Sequence, residues 1–222
     1  MKEKVLHPFV FPGMERTNFI GAIREHGPEF GLNIPDDSIN RLADYYDLVQ
    51  THNPLLHLVG PCTPEEFATR HILESLTLLE YLPTNANFAD IGAGAGLPSI
   101  PCLIVRDDLS ATLIESKAKK AGFLQTAFAK CKLVGRAQVI NRQVSETDRP
   151  DVSFVTCRAL DKFTEKLPQL LKWSGDCTLL FFGGPALGAA MWKYGLVCQE
   201  RLMPFSEQRH LFVAENNFRK NR

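Results

Sequence analysis

An α/β fold built on a mostly parallel, doubly wound sheet is predicted by three features of the sequence. After Pro83 short apolar runs alternate with helical stretches. The first run ends in the glycine-rich loop Gly92-Ala93-Gly94-Ala95-Gly96. The rhythm breaks near the end of the chain, where two extended segments are joined too closely for a crossover helix.

The runs at 88–91, 111–114, 137–140, 152–156 and 178–182 read as parallel strands, with helices expected over about 98–106, 117–133 and 161–172. Segments 196–203 and 210–214 flank only Pro204-Phe205-Ser206-Glu207, so they predict an antiparallel hairpin and bring the sheet to seven strands. The N-terminal part reads as helical. From Asp36, Ile39, Leu42, Tyr46 and Val49 fall on one helix face. In Thr63-Pro64-Glu65-Glu66, Thr63 is an N-cap, Pro64 suits the first helical position and Glu66 completes a capping box. That helix should run through Phe67, Ile72, Leu76 and Leu79 and end near Pro83. The expected division is an N-terminal helical region, 1–85, and a ligand-binding domain, 86–222.

The chain of 222 residues has 25 basic and 25 acidic side chains. The zero is a sum of unequal parts: residues 1–85 hold six of the basic and twelve of the acidic groups, so the rest carries the positive excess. A nucleic-acid partner is therefore compatible with a neutral total, provided the basic surface is local. Cys62, Cys102, Cys131, Cys157, Cys177 and Cys198 are scattered, without a Cys-x-x-Cys pair or histidines at zinc spacing, so no metal is expected. His7, Pro8 and Pro12 break any signal-like apolar run at the start. The uncharged, mostly apolar stretch 177–192 is too short to span a bilayer and contains Gly183, Gly184 and Pro185. A cytoplasmic protein without membrane contact is expected.

The chemistry gathers around the glycine loop. Glycines let a backbone turn sharply and approach a ligand at the carboxyl edge of a sheet. Gly92, Gly94 and Gly96 are spaced Gly-x-Gly-x-Gly with Leu97 next, unlike the dinucleotide fingerprint Gly-x-Gly-x-x-Gly. Asp90, just before them, would repel phosphate and attract a cation. Glu115, after the second strand, is placed to accept hydrogen bonds from both hydroxyls of a ribose. An adenosine without phosphates that also carries cationic groups meets these needs, which points to S-adenosylmethionine.

Further segments carry a resemblance: Arg70-His71-Ile72-Leu73-Glu74-Ser75, residues 90–101, Glu115-Ser116, Lys119-Lys120, Phe123-Leu124, Cys157-Arg158-Ala159 and Arg209-His210-Leu211. From Asn53 to Ala214 the chain resembles the RsmG (GidB) methyltransferases, which methylate nitrogen-7 of one guanine in 16S ribosomal RNA. The resemblance implies a Rossmann-like class I methyltransferase whose partner is 16S ribosomal RNA or the small ribosomal subunit. It implies that Gly92 and Leu97 line the cofactor pocket, that Gln143 and Val144 flank the adenine, and that Arg158 reaches the methionine end. Arg70 and His71 would stand at the mouth near RNA. A guanidinium at the carboxyl edge of the fourth strand can also hold a carboxylate bidentately.

Guanine nitrogen-7 has a free lone pair and no proton, so its methylation needs positioning rather than a general base. The Asn/Asp-Pro-Pro-aromatic motif of amine methylation is replaced by Thr156-Cys157-Arg158-Ala159. Cys157 as a nucleophile on cytosine competes with Cys157 as a small buried thiol. Lys117, Lys119, Lys120, Lys130, Lys132 and Arg136, with the tail Arg219, Lys220 and Arg222, are candidate phosphate contacts. The chain departs from the family at His57-Leu58-Val59, at Phe182 in place of a lysine, and at Glu74 in place of an aspartate. The departures leave two alternatives, a diverged methyltransferase of the same fold acting on another substrate and a non-catalytic RNA-binding paralogue.

Overall fold

The computed structural model describes residues 12–216. Seven strands form one sheet in the order β3-β2-β1-β4-β5-β7-β6. They are β1 (Asn87–Ile91), β2 (Ser110–Ile114), β3 (Ala137–Ile140), β4 (Phe154–Arg158), β5 (Thr178–Gly183), β6 (Gln199–Leu202) and β7 (His210–Glu215). Pairing is parallel from β3 to β5 and antiparallel on both sides of β7. The strand order reverses between β1 and β4, and the crevice beyond their carboxyl ends is where doubly wound sheets bind ligands.

Alternate side chains of a strand point to opposite faces. In β5, Leu180 and Phe182 join one core, whereas Leu179 and Phe181 join the other. The first core is covered by α1 (Pro12–His26), α2 (Asp36–Leu56), α5 (Ser99–Val105) and α6 (Ala118–Lys130). The second is covered by α7 (Phe163–Ser174) and α8 (Pro185–Lys193). Phe19, Leu42, Phe67, Phe88, Leu103 and Leu124 belong to a single cluster that runs across residue 85. Phe19 of α1 stacks on Tyr46 of α2 at 4.7 Å between centroids.

The capping box forms as expected: the Glu66 amide donates to Thr63 Oγ1 at 3.1 Å, and the Thr63 amide donates to Glu66 Oε2 at 2.9 Å. The helix it starts is not uniform. After α3 (Pro64–Glu66) it widens into a π-helix over Phe67–Leu73, tightens into α4 (Glu74–Leu76) and closes with a 3₁₀ turn, Thr77–Glu80. The Glu74 amide reaches back five residues to the Thr69 carbonyl, and the Ser75 hydroxyl donates to the His71 carbonyl. Such wide turns often occur at functional sites.

Two other differences matter. β4 begins at Phe154 rather than 152 because its register with β1 starts at Phe88↔Phe154, and this carries the strand on to Arg158. The uncharged stretch after β5 turns into α8, with Gly184 at its N-cap and Pro185 in its first turn. Pro185 was the sequence signal for this helix, masked by the low polarity around it.

Candidate active site

The loop between β1 and α5 requires its glycines for two separate reasons. Gly92 and Gly94 have φ of +71° and +56°, and their backbone lines a cavity of about 480 Å³. Gly96 (φ +91°) does not reach that cavity. A Cβ there would lie 2.3 Å from Ile100 Cδ1, so its role is close packing of the loop on α5. Tyr45 of α2 fixes the loop from beneath, its hydroxyl donating to the Ala95 carbonyl at 2.8 Å.

Glu115 faces the loop from the end of β2. Its Oε2 accepts from the Gly94 amide at 2.9 Å and its Oε1 from the Lys117 amide at 2.8 Å. Each oxygen keeps acceptor capacity toward the cavity, which Glu115 lines together with Leu97, His71, Lys117, Lys120 and Arg158. The loop after α2 forms the roof. His57 adopts φ +48°, the Leu58 and Val59 amides donate to Asn53 Oδ1, and Leu58, Val59 and Gly60 line the cavity. A smaller cavity of about 130 Å³ shares Gly92, Ser116, Leu160 and Lys166 with the first and adds Ile91, Ile114, Gln143 and Val144. A mostly apolar lobe beside a carboxylate suits a base and its ribose.

Arg158 closes the other end. Its Nη2 donates to Glu74 Oε2 at 2.9 Å and to the Arg70 carbonyl, while its guanidinium carbon lies 5.3 Å from the Phe182 ring centroid. The Arg209 Nε donates to Glu74 Oε1 at 2.7 Å, so one carboxylate holds two arginines. The Glu74 side chain is 2% exposed and Arg158 is 12% exposed. Burial lowers the Arg158 pKa from its ordinary value, opposed by the Glu74 charge. Arg158 Nη1 is buried without a hydrogen-bond partner among the described residues. Arg158 as a whole lines the cavity, so its guanidinium brings positive charge to the side away from Glu115, suited to a carboxylate. The glycine backbone, the Glu115 carboxylate and the Arg158 guanidinium around one cavity fit the adenosyl and methionine parts of S-adenosylmethionine.

Asp90 is fully buried and does not line the cavity. Its Oδ2 accepts from the Ser99 hydroxyl at 2.6 Å, and Oδ1 has no partner among the described residues. Burial pushes its pKa up to about 7, against the Ser99 hydrogen bonds. Its influence on a cation in the cavity is therefore through the field rather than contact. His71 pairs with neither Glu66 nor Glu74; its ring packs edge-on to Phe67 at 5.2 Å. Burial, then the charges of Arg158, Arg70 and Arg209, pull its pKa down to about 3. Arg70 pairs with Glu66 at 3.6 Å.

The candidate basic residues divide. Lys117 and Lys120 stand at the cavity, and Lys119, Lys130 and Lys132 are accessible on or after α6. Arg136 is committed instead to the Leu103, Arg106 and Leu109 carbonyls and to Asp107. Arg219, Lys220 and Arg222 lie outside the described residues. Cys157 is fully buried on β4, and burial pushes its thiol well above the usual value, so it offers no ready thiolate. Among the described residues no cluster of His, Cys, Asp and Glu could hold a metal, and no helix is long and apolar enough to cross a membrane. Tyr45, Ser99 and the Arg209–Glu74 link escaped the sequence reading. Tyr45 lay next to the recognised helix face, but nothing in the sequence joined it to Ala95.

Fold and cavity define a Rossmann-like class I methyltransferase. The Geobacter metallireducens precorrin-6y C5,15-methyltransferase superposes with a TM-score of 0.51 at 13% identity, over 64% of this chain and 85% of that one. M. jannaschii TYW2 in complex with AdoMet gives 0.51 at 16%, over 65% and 74%. The profile of the family "rRNA small subunit methyltransferase G" (GidB) matches residues 38–185. Relatives named ribosomal RNA small subunit methyltransferase G include those of Azoarcus sp. and Xanthomonas campestris. The first is 38% identical over 58% of this chain and 60% of its own length, the second 32% over 79% and 86%. The chain belongs to this family. The match to the Azoarcus protein spans less than two thirds of that relative.

Proposed function

We propose that this protein uses S-adenosylmethionine to methylate nitrogen-7 of a guanine in 16S ribosomal RNA within the small ribosomal subunit. The observation that carries this is the cavity lined by Glu115 on one side and by the Arg158 guanidinium on the other, in a chain of this family. When bound, the cofactor supplies an electrophilic methyl group on a sulfonium. Glu115 accepts from the ribose hydroxyls, with Gly92, Gly94 and Leu97 against the ligand. Gln143 and Val144 flank the adenine in the smaller cavity. The Arg158 guanidinium holds the methionine carboxylate, and Asp90 anchors Ser99 at the start of α5 beneath the loop.

The acceptor nitrogen has its own lone pair, so no side chain has to remove a proton before transfer; orientation and exclusion of water are what the protein contributes. A His71 that stays neutral at working pH matches this, since it can orient a base without titrating. Arg70, Lys117 and Lys120 sit where RNA phosphates would approach. A ribosomal acceptor makes this a cytoplasmic enzyme. On this reading residues 86–222 form the cofactor-binding domain and residues 1–85 an N-terminal helical region that closes it.

The test is to incubate small subunits from a strain lacking the protein with the purified chain and labelled S-adenosylmethionine, then digest the RNA to nucleosides. Label in 7-methylguanosine is expected. Label in another nucleoside would assign a different acceptor and direct attention to Phe182 and His57. Cofactor binding without transfer would make the chain a non-catalytic RNA-binding protein.

A further inference from the structure

Glu74 is the one acid described in contact with both Arg158 and Arg209, and only one of those arginines reaches the cofactor cavity. Arg158 lines the cofactor cavity, whereas Arg209 does not. Both line a neighbouring pocket of about 310 Å³ with Phe182, Gly184 and His210. The three residues come from α4, from the end of β4 and from the position just before β7, with Arg158 and Arg209 lying 84 and 135 residues from Glu74. Glu74 has one oxygen on each arginine and is buried, so a change at one arginine falls on the other.

We propose that Glu74 is a positioning residue that couples the cofactor cavity to the neighbouring pocket, by sharing its single negative charge between Arg158 and Arg209. The proposal rests on the assignment of Arg158 to the cofactor carboxylate. With both arginines in place the cluster has one positive charge in excess, and Arg158 keeps part of its attraction for a carboxylate. When Arg209 is removed, or its charge is neutralised by an anion in its pocket, Glu74 neutralises Arg158 alone and the grip on the cofactor weakens. By thermodynamic reciprocity the cofactor weakens anion binding at Arg209 by the same factor. An RNA phosphate at Arg209 would thus loosen the cofactor side, which favours turnover over retention.

The experiment is calorimetric titration of S-adenosylmethionine into the full chain and into Arg209→Gln, Glu74→Gln and the double variant, each checked for cooperative thermal unfolding. Arg209→Gln should weaken binding on the order of fivefold when Glu74 is present and leave it unchanged in the Glu74→Gln background. A residue with only a structural role would not produce that dependence. Unchanged affinity in Arg209→Gln, or an equal loss in both backgrounds, overturns the coupling while leaving the proposed function intact. A wild-type chain that does not bind S-adenosylmethionine overturns both. Should Glu74→Gln fail to fold, Glu74→Asp takes its place: a reduced dependence on Arg209 supports the coupling, and an undiminished one overturns it.

Discussion

On the Glu115 side, the site is mostly backbone: two glycines at positive φ, two amides on one carboxylate, and a tyrosine hydroxyl on the loop carbonyl. On the Arg158 side it is side chains, held by a buried ion cluster over an aromatic ring. The first wall is assembled mostly within residues 92–117, with Tyr45 joining from 50 residues away, whereas the second joins residues 84 and 135 positions apart. A backbone wall tolerates drift in side chains, whereas an ion cluster fails when any one member is lost. Glu74 and Phe182, where the resemblance leads one to expect an aspartate and a lysine, fall in the second wall. Phe182 puts a ring against the Arg158 guanidinium where a lysine would have set a second cation.

The largest expected effect breaks the second wall. Glu74→Ala leaves two arginines without their buried counter-charge and should cost about 3–5 kcal/mol, read as a lower urea midpoint. A loss under about 1 kcal/mol would place the cluster with ordinary surface pairs. Next, Glu115→Ala should weaken S-adenosylmethionine on the order of ten- to a hundredfold, since a hydrogen bond to a charged group is worth about 1.5–3 kcal/mol. Unchanged affinity in a titration would remove Glu115 from the site.

A third comparison uses pH. The folded-state pKa of Asp90, about 7, lies above its ordinary 3.8, so the unfolded chain binds fewer protons between them. Stability from this group is full below about pH 4 and declines as pH rises through 7. Asp90→Asn should therefore raise Tm relative to wild type by a few degrees more at pH 8 than at pH 5. A difference independent of pH would mean that Asp90 is ionised when buried. His71 works the other way. Its folded-state pKa, about 3, lies below the usual 6.5, so its stability contribution is lost as pH falls from about 6.5 toward 3, and His71→Gln should lessen that acid-side loss in thermal melts. The smallest effect expected is that of Tyr45→Phe, which strips the Ala95 carbonyl of its donor. It should cost about 1 kcal/mol in chemical unfolding.

The sheet could be anticipated because each strand announces itself locally, as an apolar run bounded by turns, and the glycine loop stands directly after the first. Glu115 was visible for the same reason, at the end of the next run. The widening of the helix at Phe67–Leu73 was not, because a π turn changes the ladder by one residue without disturbing the apolar spacing much. Asp90 illustrates another limit. Its position in the sequence foretold a charge near the ligand, but burial on Ser99 depends on which face of β1 it occupies. Arg158 was read as a ligand-holding group, yet its bond to Glu74 rests on pairing across 84 residues that no local pattern encodes.

The core shared by the early helices and the sheet has a practical consequence for anyone handling this protein. A truncated product starting at residue 86 would strip α2 from α5 and α6 and bare Leu103, Phe123, Leu124 and Phe128, all buried beneath the first core. It would also lose the Tyr45 hydroxyl that steadies the glycine loop. Such a fragment should precipitate or demand a solubilising fusion, although the charge count marks residue 85 as a natural place to cut.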